Sequence, residues 1–194
     1  MNTNPLKVKD LVTIGVFAVI YFVLMFTVGM IGMVPILFLI YPTILGIVTG
    51  VVVMLFMAKV QKPWALFILG ILSPLVMFVM GHTYVVFVHG LVVMFIAELI
   101  RRKGRYRSFK YNMLSFAVFN TWICGSLMQM LLAKDRYIAM TVPMMGEEYA
   151  RTLERLITYP HMALVYVGAF IGDVIGAYIG KALLKKHFNK AGIV

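Results

Sequence analysis

The sequence predicts an all-α polytopic membrane protein, a compact bundle of six transmembrane helices with both termini in the cytosol. Three observations carry that reading. Of 194 residues, 62% are hydrophobic and only 13% are charged, against about half apolar and about a quarter charged in a soluble domain. Two stretches carry no charge at all, 48 residues from Leu11 to Ala58 and 35 from Pro63 to Ala97. A helix needs only roughly 20 apolar residues to cross a bilayer. The length accommodates about six such helices with short loops and leaves no space for a soluble ATPase or catalytic domain.

The spans are expected at about 11–28, 35–58, 64–80, 84–100, 113–133 and 162–184, in a single integral membrane domain over residues 1–194. The first apolar run is followed by no small-residue cleavage site, so it reads as a span and not as a removed signal peptide. Gly29 and Gly32, before Pro35, separate the first two spans; Lys59, Lys62 and Pro63 separate the second from the third. Gly81-His82-Thr83 makes a tight turn between the third and fourth. Turns this short place consecutive helices antiparallel.

One connection is longer. Residues 134–158 form an outer loop, and long ordered loops are often lids. Gly146 is expected to start a short helix there, with Tyr149, Leu153, Leu156 and Ile157 on one face and Glu147–Arg151 paired at i,i+4 on the other. It reads as a cap on the outer surface, against the plainer reading of a surface loop with no special role.

The formal net charge of +11 becomes topology once the spans are drawn. With the N-terminus inside, 14 of the 18 Lys and Arg are cytosolic, and only Lys134, Arg136, Arg151 and Arg155 lie outside. Cationic loops stay inside, so the asymmetry sets the orientation in the cell membrane. It also removes nucleic acid as a partner, because the basic residues flank membrane spans. The single cysteine, Cys124, excludes an intrachain disulfide and a multi-cysteine metal site; its apolar surroundings make it a core thiol.

Several residues stand out from the apolar background. Gly168, Gly172, Gly176 and Gly180 repeat every fourth position on the last helix. Such a stripe lets another backbone approach closely in lipid, either from this chain or from another subunit. Asp173 lies mid-span on the same helix, where a carboxylate is costly. It is a candidate to pair with a substrate cation, a partner's base or a buried histidine. His82, His89 and His161 fall toward the outer half. His82 and His89, seven apart, share a face if the fourth helix starts at His82. With Thr83, Tyr84, Asn120, Trp122, Gln129, Met144 and Tyr159 they outline an outward-facing substrate pocket. Met140, Met144 and Met145 around Pro143 would give it an adaptable apolar lid; core or lipid-facing filler is the plainer reading of each methionine. No metal or catalytic site is expected. Glu147-Glu148-Tyr149-Ala150-Arg151 resembles the paired glutamates of intramembrane CAAX-type proteases, but Thr152 stands where that family has its arginine, and the pair lies in a polar loop. No Gly-rich phosphate loop, HExxH or serine-nucleophile motif is present.

The opening Leu11-Val12-Thr13-Ile14-Gly15-Val16-Phe17-Ala18-Val19-Ile20-Tyr21, the ending Gly172-Asp173-Val174-Ile175-Gly176-Ala177-Tyr178-Ile179-Gly180-Lys181 and the basic tail Lys185-Lys186-His187-Phe188 resemble the substrate-binding S component of energy-coupling factor (ECF) transporters, most closely the Trep_Strep group. The resemblance covers essentially the whole chain. It implies a six-helix subunit, not an enzyme, that binds a micronutrient from outside. A T component and two ATPase subunits would drive release by toppling it in the bilayer. It also implies docking through small residues four apart on the first helix. The nearest here are Gly15 and Ala18, three apart, with Val19 at the fourth place. The pocket residues favour a sizeable apolar or planar ligand, vitamin-like or a tetrapyrrole. Haem is one candidate as transported substrate, because His and Met are its usual axial ligands; no resident cofactor is expected. The competing reading is a standalone small secondary transporter or channel that uses Asp173, and an intramembrane enzyme is the third.

Overall fold

A computed structural model describes residues 5–187. Nine α-helices follow in order among them: α1 Val8–Gly29, α2 Pro35–Lys59, α3 Ala65–Val79, α4 Tyr84–Lys103, α5 Phe109–Phe119, α6 Cys124–Leu132, α7 Lys134–Met145, α8 Glu147–Leu156 and α9 Tyr159–His187. Short 3-10 turns at Met30–Met33 and Asn120–Ile123 follow α1 and join α5 to α6. No strand occurs among the described residues. The basic tail from Phe188 onward lies outside the described residues.

Five helical stretches are long and apolar enough to cross a membrane: Val8–Met33, Pro35–Lys59, Tyr84–Lys103, Phe109–Leu132 and Tyr159–Lys185. The expected third span is shorter than the others. α3 has 15 residues, about 22 Å at 1.5 Å per residue, less than the ~30 Å hydrocarbon layer. Its ends explain the length. Trp64 precedes it in the left-handed conformation (φ 65°). At the other end Gly81 (φ 101°) closes a Schellman motif, with Gly81 N–H donating to Phe78 O and His82 N–H to Met77 O. Position 81 therefore favours glycine, and the motif sets where His82 sits.

α2 and α9 run side by side in the same direction and form the closest pairing in the bundle. Gly172, Gly176 and Gly180 of α9 face Thr43, Gly46 and Gly50 of α2. A Cβ on Gly176 would strike the Gly46 carbonyl, and one on Gly50 would strike the Gly176 backbone. The partner left open by the glycine stripe is thus a helix of the same chain. On α1 the buried residues Ile14, Phe17, Ala18, Tyr21 and Met25 recur at steps of three and four, the period of one helix face. Gly15 falls off that face: it is exposed, and a Cβ there would meet nothing within 4 Å. Gly15 and Ala18 therefore do not form one outward small-residue surface.

The stretch Phe109–Leu132 is the central element. In its most apolar window 72% of residues are buried, against 44% or less in the other four. Two apolar cores meet around it. The larger joins Phe17, Tyr21, Leu45, Phe56, Leu69, Met94 and Phe116 across α1–α5 with Trp122 of the 3-10 turn. The smaller joins Cys124, Leu127 and Met130 of α6 with Tyr137, Leu153, Ile157, Met162, Val165 and Ala169.

The loop 134–158 is a helical hairpin. α8 forms as its sequence predicts: Leu153 and Ile157 are buried, Tyr149 is half-buried, and Arg151 pairs with Glu147 at 2.9 Å on the exposed face. α7 was not expected, because Lys134-Asp135-Arg136 and Pro143 read as loop. The proline lies in the last turn, just before Gly146 (φ 88°) ends the helix. The Tyr149 hydroxyl donates to Gly32 O, and Lys134 pairs with Glu154. These contacts tie the hairpin to the α1–α2 turn and its two helices to each other.

Candidate functional site

Three groups of polar side chains form inside the bundle, and each draws on the 3-10 turn Asn120–Ile123 or on α6, which carry Asn120, Trp122 and Gln129.

The deepest is a one-way hydrogen-bond chain. Trp122 Nε1–H donates to the Tyr21 hydroxyl (2.9 Å), Tyr21 donates to Asn120 Oδ1 (2.8 Å), and Asn120 Nδ2 donates to Asp173 Oδ1 (2.8 Å) and to Pro42 O (3.4 Å). All four side chains are buried. Asp173 Oδ2 has no partner. Asn120 and Trp122 thus serve this chain, and Asp173 meets Asn120 and the α2 glycine seam instead of a basic residue or a histidine.

The second group surrounds His89. Its Nδ1 lies 3.3 Å from Trp122 O. A carbonyl can only accept, so Nδ1 carries the proton and Nε2 is an acceptor. Tyr166 then donates its hydroxyl to Nε2 at 2.7 Å, with Met128 Sδ 2.9 Å from the same oxygen. Gly125 admits the imidazole: a Cβ there would lie 3.0 Å from Nδ1. Tyr166 also borders an apolar groove of about 310 Å³ between α5 and α9, with Val118, Thr121 and Phe170 on its walls.

The third group lies at the end of the bundle that bears α7–α8. Thr83 is the N-cap of α4, and its N–H donates to Gln129 Oε1 at 2.8 Å; Gln129 Nε2 donates to Ser126 O at 2.9 Å. Two polar atoms here are buried with no partner, His82 Nδ1 and Thr83 Oγ1. Burial holds the His82 pKa below the usual imidazole value. Because α4 starts at Tyr84, His82 lies before the helix, and the expected His82–His89 shared helix face does not form.

The remaining candidates do not converge. Tyr84, Met144 and Tyr159 are 56%, 76% and 71% exposed. His161 is exposed, with Nδ1 2.5 Å from Leu156 O, near the start of α9. Met144 follows Pro143 on the outer side of α7, away from the apolar cluster that receives Met140. Glu147 and Glu148 lie on the exposed face of α8, beside Arg151 and Arg155. Among the described residues no group of three His, Cys, Asp or Glu is placed to hold a metal.

The opposite end holds two buried charged side chains, Arg101 and Glu98, that belong to no motif in the sequence. Arg101 is fully buried and donates from Nη2 to Met57 O (2.9 Å) and Val60 O (2.6 Å). These carbonyls belong to the C-terminal end of α2, where unpaired carbonyls and the helix dipole favour a cation. Glu98, one turn earlier on α4, accepts from Trp64 N–H at 2.7 Å, which holds Trp64 in its left-handed conformation. The only signal in sequence was the i,i+3 spacing of opposite charges beside an apolar run. Tyr21 and Tyr166 gave none, since each sits in an uninterrupted apolar stretch.

A bundle of membrane-length helices wrapped around a central buried helix, with its polar side chains turned inward, defines a multi-span integral membrane protein. The chain belongs to the family described as hypothetical bacterial integral membrane protein (Trep_Strep), whose model matches residues 8–190. Comparisons with curated proteins and with solved structures gave no match.

Proposed function

We propose that the protein is the substrate-binding membrane subunit of an ECF-type importer, capturing a micronutrient from outside for uptake driven by partner subunits. In this reading both termini are cytosolic, the chain catalyses no reaction, and a T component with two ATPases supplies the energy. The observation that supports it best is the outer-end group of His82, Thr83 and Gln129. A buried polar group without a partner costs about 1–3 kcal/mol, so a ligand that bonds His82 Nδ1 and Thr83 Oγ1 recovers energy that the free protein forgoes. α6 carries Gln129 and shares an apolar core with the α7–α8 hairpin, which places the hairpin at the same end of the bundle. The ligand class proposed from the sequence is vitamin-like or tetrapyrrole, and at this group it must offer hydrogen-bonding atoms to His82 Nδ1 and Thr83 Oγ1.

The test is copurification and native mass spectrometry. The reading expects a T component, two ATPases and a small ligand to travel with the chain, and H82A/T83V to cut ligand retention at least tenfold. Proton-gradient-driven uptake by vesicles containing this protein alone would overturn it. That outcome would favour a second reading, a secondary transporter, which the unpartnered Asp173 Oδ2 supports; Asp173→Asn would then abolish uptake. For the haem version, addition of haem must produce a Soret band.

A further inference from the structure

Among the described residues the net positive charge is confined to one end of the bundle. In α7–α8, Lys134, Arg136, Arg151 and Arg155 are balanced by Asp135, Glu147, Glu148 and Glu154. At the opposite end, twelve Lys and Arg between residues 7 and 185 stand against Asp10 and Glu98 alone. Asp10 is already bound to Lys62 at 2.6 Å, and Glu98 is buried and accepts from Trp64 N–H.

We propose that this end, centred on the α4–α5 turn, binds the headgroups of anionic phospholipids. Arg102, Lys103, Arg105 and Lys110 are exposed there, and none has an ion-pair partner among the described residues. The turn displays them from a fixed backbone: Arg105 and Tyr106 adopt left-handed φ of 51° and 63°, their N–H groups donate to Arg102 O and Arg101 O, and the Tyr106 ring lies under the Arg101 guanidinium at 5.4 Å.

The apolar surface below selects a lipid over an acidic protein. On α4, Leu91, Phe95 and Leu99 are exposed and recur at i,i+4, so one ladder of side chains leads along the helix to Arg102. Trp64, 44% exposed, stacks on Phe95 at 6.2 Å between ring centroids. Tryptophan favours the membrane–water boundary, and this one marks where the apolar ladder ends and the cations begin. A phospholipid fits both parts at once, acyl chain along Leu91–Leu99 and phosphate at Arg102 and its neighbours. An acidic protein docking from water would use only the cations.

Each Lys or Arg near an anionic membrane surface contributes roughly fivefold to binding. The protein is reconstituted in nanodiscs of equal parts phosphatidylglycerol and phosphatidylcholine, extracted gently, and its retained lipids are counted by native mass spectrometry. The proposal expects at least tenfold preference for phosphatidylglycerol, lost in R102Q/K103Q/R105Q/K110Q and kept in the outer-end control R136Q/R155Q. If the quadruple variant fails to fold, the wild type is read in 0.1 M and 1 M salt, where the screening length falls from about 10 to about 3 Å and the preference must collapse. Equal retention of both lipids, a preference that survives the quadruple variant or high salt, or capture of an acidic protein with no lipid preference each overturns it.

Discussion

At the basic end of the bundle Arg101 Nη2 bonds the carbonyls of Met57 and Val60, whereas at the opposite end neither His82 Nδ1 nor Thr83 Oγ1 bonds anything; buried atoms without a partner occur at both ends, and Arg101 Nε, Arg101 Nη1 and Glu98 Oε2 are among those of the basic end. The packing differs along the bundle as well. In the middle of α2 and α9 the glycines bring two backbones into contact, where nothing can give. At the hairpin end the small core under α7–α8 is closed by flexible side chains such as Met130 and Met162 and by surface bonds such as Tyr149 to Gly32. The basic end uses one buried side chain, Arg101, to hold the end of α2, whereas His82 Nδ1 and Thr83 Oγ1 hold nothing together at the end that carries the α7–α8 hairpin.

That contrast can be broken experimentally, most severely at Arg101. Arg101→Met would leave Glu98 as an uncompensated buried charge and strip two carbonyls of their donor, so we expect a loss of about 3–5 kcal/mol in reversible unfolding in mixed micelles. E98Q/R101M should recover part of it. Gly176→Ala drives a methyl into the Gly46 backbone and should cost about 3 kcal/mol. Gly168→Ala meets only the Thr43 hydroxyl at 2.8 Å and should cost about 1 kcal/mol. Gly15→Ala should cost nothing and gain up to about 1 kcal/mol of helix propensity. A different ranking in thermal melts would contradict the glycine seam.

At the α7–α8 end Leu153→Ala should cost about 2–3 kcal/mol, but locally. Hydrogen exchange should speed up across 134–158 and stay unchanged in α2 and α9. Equal acceleration in both would make the two regions one cooperative unit. The pH dependence has a definite sign. The folded state holds the His82 pKa below its unfolded value of about 6.5. The folded protein therefore binds fewer protons there, and this contribution is complete above that value and lost as pH falls through the lowered folded value. Melting temperature should drop between pH 7 and 5, less steeply in His82→Gln. The smallest effect belongs to Glu147→Gln, an exposed i,i+4 pair worth less than about 0.5 kcal/mol, with no change in ligand retention.

The sequence marks residues more readily than it pairs them. The spans, the α8 helix with its Glu147–Arg151 pair and the glycine stripe were all legible, because each is a local pattern of hydropathy or spacing. Which face of each span turns inward was not. α1 buries Tyr21 and Met25 but exposes Val16, Val19 and Val23, and in lipid both faces are apolar, so periodicity is mute. Asn120 and Trp122 stood out, but Tyr21, 99 residues from Asn120, did not, and without it the chain to Asp173 cannot be drawn. α7 was hidden by a proline that its last turn tolerates.

By itself the sequence determined that this chain is a membrane bundle, how its charges divide between two ends, and that its last helix presents a small-residue stripe. These follow from solvent preference and helical spacing, which act residue by residue. The tertiary structure decided that the stripe receives α2 of the same chain, that Asp173 ends a hydrogen-bond chain, that Arg101 is buried, and that His82 and Thr83 keep unspent bonding capacity. Those outcomes depend on which distant side chains meet and which are left without a partner, and that is settled only when the helices pack.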